Sequence, residues 1–388
     1  MAEYYVVHNG PQGSGNGSSV ANGKELQAAI DGATAGDRIL VCATGTYSPA
    51  ATIDIDTVTG TYSNPIQIIG ANSSGTVDGT RAEFDRSGTL FSMAVGFTHY
   101  VFRYLTHNSN LGTTNHTFYD IRDSVVADVD STFAGTSGAF CYGGSYVTLL
   151  RCSTTGGTIG FSIPEGVVHD CVANGVNGTG FVMHTGSVQS RRGAVYNRCV
   201  AYDCTDGFRA IVSDQGGEAF VDCVAYECTN GLYVISTTTV PALLIKNCTF
   251  VDNTDGIKIT TTSNTAALIE NCVISHNSGY GINNASTFGS WRPTVLNSAF
   301  YSNTSGNLAS GTLDSSCSTS VDPSFVDRTH ATLTSRDYTL SSDSALHQLS
   351  YTDVFGTAIR QTRGAYQNGP TPAQIAAAVW TRTGRTLT

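Results

Sequence analysis

Five consecutive stretches of this chain spell nearly the same phrase, and that repetition constrains the fold more than any other feature. They run 193–213, 217–237, 241–261, 266–286 and 292–311. Aligned on their first cysteine, Cys199, Cys223, Cys248, Cys272 and Ser298 fall in register, at steps of 24, 25, 24 and 26 residues. A fixed period in this range marks a solenoid: each unit is one rung that cannot bury its apolar side alone and stacks on its neighbours.

Within each phrase apolar and polar residues alternate over short runs. Tyr196, Phe220, Ile245, Ile269 and Val295 form one column; Asn197, Val221, Lys246, Glu270 and Leu296 form the next, mostly more polar. Such alternation reads as strand. No segment between the runs has the length or period of a crossover helix, so strands one period apart pair in parallel, about 4.8 Å apart. The expected fold is all-β: a single-stranded parallel β-helix.

The bends are expected at small polar residues. Asp222, Asn247, Asn271 and Asn297 form one column; Cys204, Cys228, Asn253, Asn277 and Asn303 form a second. Asn tolerates left-handed backbone angles, and stacked Asn side chains bond along the axis. Gly207, Gly231, Gly256 and Gly306, with Gly281 displaced by one residue, are expected to mark corners of positive φ. Upstream the register loosens through rungs at 99–110, 118–130, 147–163 and 167–185, and segments 72–92, 131–145 and 186–192 read as loops off the stack.

Composition agrees with one long solenoid: 42 Gly, 9 Pro and 13% charged residues in 388. The net charge of −10, with three lysines and no basic run, argues against nucleic-acid binding. No apolar stretch is long enough to span a membrane. Of eleven cysteines, those in the repeat are explained by position as free, buried thiols. The spacing Cys199-x4-Cys204, repeated at Cys223-x4-Cys228, invites a zinc reading, but later rungs place Asn or Ser there with the pattern unchanged, so no metal is expected. The first ten residues lack the basic and apolar regions of a signal peptide, which implies folding in a reducing cytoplasm.

Residues 3–48 run strand, Gly/Ser loop, amphipathic helix with Leu26, Ala29 and Ile30 inward, then strand. The helix is expected to cover the open end of the stack. Gly36-Asp37-Arg38-Ile39, Gly45-Thr46-Tyr47 and the run 65–72 resemble the N-terminal cap and first rung of the pectate-lyase-like right-handed β-helix superfamily. Asp322-Pro323-Ser324-Phe325-Val326-Asp327, Asp337-Tyr338-Thr339-Leu340, and Asp353, Gly356, Arg360 and Gly364-Ala365-Tyr366 resemble its closing phrase. The resemblance covers about residues 3–368. It implies a right-handed helix; it leaves activity open, because the superfamily holds lyases, hydrolases, epimerases, adhesins and phage spikes. The expected organisation is a cap at 1–48, the β-helix at 49–368 and a tail at 369–388. The tail resembles short segments at the ends of modules in bacteriophage structural proteins, with Ile375, Val379 and Trp380 as its apolar docking residues. A fold-back onto the last coil is the plainer expectation for the same residues.

For lyases of this fold, the resemblance implies Ca²⁺ held by carboxylates and a Lys or Arg base; for hydrolases, it implies Asp/Glu pairs. Arg209, Tyr233, Lys258 and Asn283 form a column expected to face outward, beside Asp206, Asn230 and Asp255. This is the candidate glycan-binding face, against the plainer reading that any solvent-facing column carries such residues. Asp203, Glu227, Asp252 and His276 form another column, read as solvated corners rather than a Ca²⁺ site. His169 and His184 lie near Glu165 and Arg191-Arg192 in a possible acid/base cluster, but no catalytic residue is assigned. Two functions compete, with a bacterial surface adhesin third because it would want the secretion signal not seen in this sequence. One is a virion component, capsid decoration or spike, assembled in the host cytoplasm with other virion proteins, as a homotrimer by analogy with spikes. The other is a polysaccharide lyase or hydrolase, with Ca²⁺ if a lyase.

Overall fold

The computed structural model describes residues 1–93, 99–109, 115–135, 137–182, 193–212, 217–236, 243–261, 267–286, 293–348, 350–352 and 358–360. Each full winding contributes three short strands. Sheet one collects strands such as Gly193–Asn197, Leu243–Lys246 and Ala267–Glu270; sheet two Val200–Tyr202, Thr249–Val251 and Val273–Ser275; sheet three Asp206–Val212, Asn230–Ser236 and Asp255–Thr261. Every strand of the stack pairs in parallel with its counterpart one winding away, and Tyr196, Phe220, Ile245, Ile269 and Val295 are register partners. All five are buried, so the column predicted as apolar lines the interior. Stacked rings extend that interior: Phe161 lies 4.9 Å from Phe181, and Phe181 5.1 Å from Phe208.

The bend between sheets one and two is a single left-handed residue. Tyr104, Asp128, Arg151, Asp170, Arg198, Asp222, Asn247, Asn271 and Asn297 occupy it in nine successive windings, with φ between 50 and 57°. A non-glycine residue there costs on the order of 1 kcal/mol. Neighbours offset the cost: Arg151 grips Asp128 through two bonds of 2.7 and 2.8 Å, Arg198 donates to Asp170 at 2.8 Å, and Asn271 donates to Asn247 at 2.7 Å. The next residue in most windings is the inward thiol, from Cys152 to Cys272, with Ser298 last. All eleven cysteines are free, ten of them buried.

The second bend departs from expectation. Its left-handed residues are Asp203, Glu227, Asp252, His276 and Ser302, at φ 52 to 56°, one position before the Cys/Asn column. Asn253, Asn277 and Asn303 point inward instead and form a buried ladder. The glycines are corrected too: Gly207, Gly231, Gly256 and Gly281 do not adopt positive φ, and only Gly306 does, at 122°. They are needed because the backbones crowd. A Cβ on Gly231 would stand 2.5 Å from the carbonyl oxygen of Gly256, and one on Gly256 would stand 2.6 Å from that of Gly281.

Two segments read as loops contain paired strands. Ala82–Asp85 joins Leu105–Asn108, and Ala139–Tyr142 pairs on both sides. Segment 186–192 lies outside the described residues. At the N-terminal end the helix Leu26–Asp31 buries Leu26, Ala29 and Ile30 in the main core, as its amphipathic spacing predicts. No described helix is long and apolar enough to cross a membrane. At the other end, residues 321–346 fold back over the outer face of sheet two as a strap. Its strands Phe325–Asp327 and Asp337–Leu340 pair antiparallel. Tyr338 packs on Tyr202, Val224, Tyr226 and Val251, and Leu340 and Leu346 pack on Val273 and Ala299.

Candidate functional site

The three outer faces of the helix differ in chemistry. Sheet two is largely roofed by the strap. Along one column of sheet three Ser92, Tyr119, Tyr142, Ser162, Val182, Arg209, Tyr233, Lys258 and Asn283 are successive register partners, with Ser162 and Val182 buried. Arg209, Tyr233, Lys258 and Asn283 are half-buried in this column.

Its centre is a cation–aromatic–cation stack. The Arg209 guanidinium lies 5.4 Å from the Tyr233 ring centroid and the Lys258 ammonium 5.7 Å from it. Parallel register puts one cation on each adjacent winding, where the ring's negative faces attract them. The ring's hydroxyl reaches Thr260, two positions beyond Lys258 on the neighbouring strand. That hydroxyl oxygen accepts a 2.9 Å bond from the Thr260 hydroxyl, which leaves its own proton available to a ligand.

Asp206, Asn230 and Asp255 form the parallel column beneath. They are buried rather than displayed, at 6 to 7% exposure. Asn230 donates to Asp206 at 2.7 Å; Asp255 accepts from the Tyr280 N–H at 3.0 Å and from Asn283 at 2.8 Å. Burial raises the Asp206 carboxyl above its usual range, while the Asn230 bond and the charges of Arg209 and Lys258 pull it back. These acids support the stack from below. The candidate face thus sets two cations, Arg209 and Lys258, above two buried carboxylates, Asp206 and Asp255.

The Asp203, Glu227, Asp252 and His276 column is not simply solvated. Arg328 pairs with Asp252 at 2.6 Å, Arg336 with Glu227, and the Tyr338 hydroxyl bonds Asp252 at 3.2 Å. The column anchors the strap, a role sequence reasoning missed because Arg328 and Arg336 stand outside the repeat. Asp252 and Glu227 are engaged by arginines and Asp206 and Asp255 by amides, while Asp203 is exposed; no group of three or more metal-ligating side chains is found among the described residues. His169 lies against Asp170 at 3.0 Å rather than in an open acid/base cleft. Burial opposes ionisation of Asp170, yet His169 and Arg198 hold its carboxyl below the usual range. His184, Arg191, Arg192 and the tail residues Ile375, Val379 and Trp380 lie outside the described residues.

Comparison with known proteins agrees with this architecture. The family described as right handed beta helix region matches residues 104–304. A pectate lyase, Pel9A, is similar in structure with a TM-score of 0.62 at 16% identity, over 95% of this chain and 97% of that one. The catalytic domain of a GH87 α-1,3-glucanase is similar with a TM-score of 0.52 at 11% identity, over 82% of this chain and 68% of that one. At these identities the likeness is one of fold. No curated protein sequence matches. Neither structural neighbour named here is a virion protein.

Proposed function

Because this chain belongs to the right handed beta helix family, with a pectate lyase and a glucanase among its structural neighbours, we propose that it acts on polysaccharide along sheet three. The observation that carries the reading is the Arg209–Tyr233–Lys258 stack. Two cations one winding either side of a phenol suit a sugar that bears a carboxylate, and the row of register partners gives a linear chain a track parallel to the helix axis.

The chemistry this favours is β-elimination from a uronate. Arg209 and Lys258 neutralise the carboxylate, which acidifies the proton on the adjacent ring carbon. A base removes that proton, a ring double bond forms, the bond to the leaving glycosidic oxygen breaks, and that oxygen is protonated. Tyr233, whose hydroxyl accepts from Thr260 and keeps its own proton to give, is the group assigned to proton transfer. Hydrolysis by a carboxylate pair is less favoured, because Asp206 and Asp255 are buried and bonded to amides.

Incubation with a panel of acidic and neutral polysaccharides tests this, with ultraviolet absorbance of unsaturated uronides as the readout. Unsaturated products from an acidic polymer, lost on Tyr233→Phe, support it. Saturated reducing ends, or no products from any acidic polymer, overturn the lyase reading.

A further inference from the structure

The strap follows one recognition rule and stops short of where that rule still applies. Arg336 binds the corner carboxylate of Glu227 while Tyr338, two positions on, lies 4.6 Å from the Tyr226 ring. One winding toward the N-terminus the same two features recur. Tyr202 stacks on Tyr226 at 5.0 Å with 3° between the planes, and Asp203 stands in the same corner column as Glu227 and Asp252. Asp203 is exposed, and no arginine among the described residues pairs with it. Beside it a cavity of about 320 Å³ opens between the strap and sheet two, with Val172, Val200, Tyr202 and Val224 on its sheet side. Val172 and Val200 are only partly buried.

The segment 370–388 carries an aromatic residue and an arginine at the same separation, Trp380 and Arg382, in the reverse order to Arg336 and Tyr338, so that it would meet the same two features with the opposite chain direction. It carries Arg382 and Arg385 and no acidic residue, complementary to a corner column that presents Asp203 and Glu227. Reach is ample. Leu346 packs on Val273 and Ala299, four register steps or about 19 Å from Val200. Thirty-four positions separate Leu346 from Trp380.

We propose that the chain's own C-terminal segment extends the strap by one winding, with Trp380 in the cavity over Val200 and Tyr202 and Arg382 on Asp203. The proposal is independent of glycan chemistry on sheet three.

The test uses the full chain, a truncation ending at Gly369, and a fluorescein-labelled peptide of residues 370–388. The peptide is expected to bind the truncated protein and to bind the full chain at least tenfold more weakly, because the site is already filled. Asp203→Arg in the truncated protein weakens peptide binding at least tenfold, and an Arg382→Glu peptide restores it. Asp203 is exposed, and arginine already adopts the same left-handed backbone at Arg151 and Arg198, so the variant is expected to keep the fold, which circular dichroism checks. Equal binding to full and truncated chains, no binding to either, or indifference to Asp203→Arg overturns the proposal. So does a concentration-dependent dimer of the full chain that truncation abolishes, which would assign the site to a second copy's tail.

Discussion

Asn277 donates its side-chain amide to the side-chain oxygen of Asn303, one winding further on, over 2.8 Å. Its own oxygen accepts the Asn253 N–H at 3.0 Å, and its amide also reaches the Phe250 carbonyl at 3.3 Å. The side chain thus replaces strand hydrogen bonds at a bend where the sheets break. Asn277→Ala takes the acceptor from the buried Asn253 N–H and the donor from the Phe250 carbonyl, while Asn303 keeps the Asn277 N–H at 3.2 Å; the cost is about 1–3 kcal/mol for each orphaned group. Denaturant midpoints will show a loss of that size, and a loss under about 0.5 kcal/mol, the size of an ordinary surface substitution, would mean the ladder is ornamental.

The inward glycines make a second prediction, opposite to what a turn glycine gives. Gly231→Ala requires no forbidden backbone angle, but its methyl would meet the Gly256 carbonyl at 2.5 Å. The expected destabilisation is about 1–3 kcal/mol by overpacking. A variant as stable as the parent in thermal melts would contradict the claimed crowding.

Glu218 gives a pH dependence. It is 2% exposed at an inward position, and burial pushes its carboxyl up from 4.5 to about 8. The folded state therefore binds this proton more tightly than the unfolded chain. Its contribution to stability is fully present below pH 4.5 and is lost as pH rises through 8. Glu218→Gln removes that decline. Urea unfolding of both proteins across this range measures it; parallel curves would show that Glu218 titrates normally.

The strap is held more by packing than by charge. Arg336→Ala should cost about 1 kcal/mol or less, because its pair with Glu227 is partly solvated. Tyr338→Ala should cost about 3–5 kcal/mol by emptying the contact with Tyr226 and Val224. Limited proteolysis near residue 330 reports strap release, and the tyrosine variant should be cut first.

How far the sequence disclosed all this depended on periodicity. Columns repeating every winding, such as Tyr196/Phe220/Ile245 and Arg209/Tyr233/Lys258, were legible, because parallel register converts a period into a stack. The helix at Leu26 was legible from its own spacing. The assignment of corners failed, since glycine is permissive of both positive φ and close approach, and only the backbone path shows which is used. Arg198 takes a left-handed bend with a stacked partner, Asp170, and Glu227 takes one with Arg336 of the strap. The strap was partly visible as a family-like closing phrase, but its arginine contacts span 76 and 109 residues and follow no repeat.

The most direct test of the account is affinity electrophoresis through gels containing an acidic or a neutral polysaccharide, comparing the parent with Arg209→Ala/Lys258→Ala. The parent should be retarded by an acidic polymer and not by a neutral glucan, and the double variant should run freely in both. Retardation of the double variant equal to the parent's would show that sheet three is not the glycan-binding face.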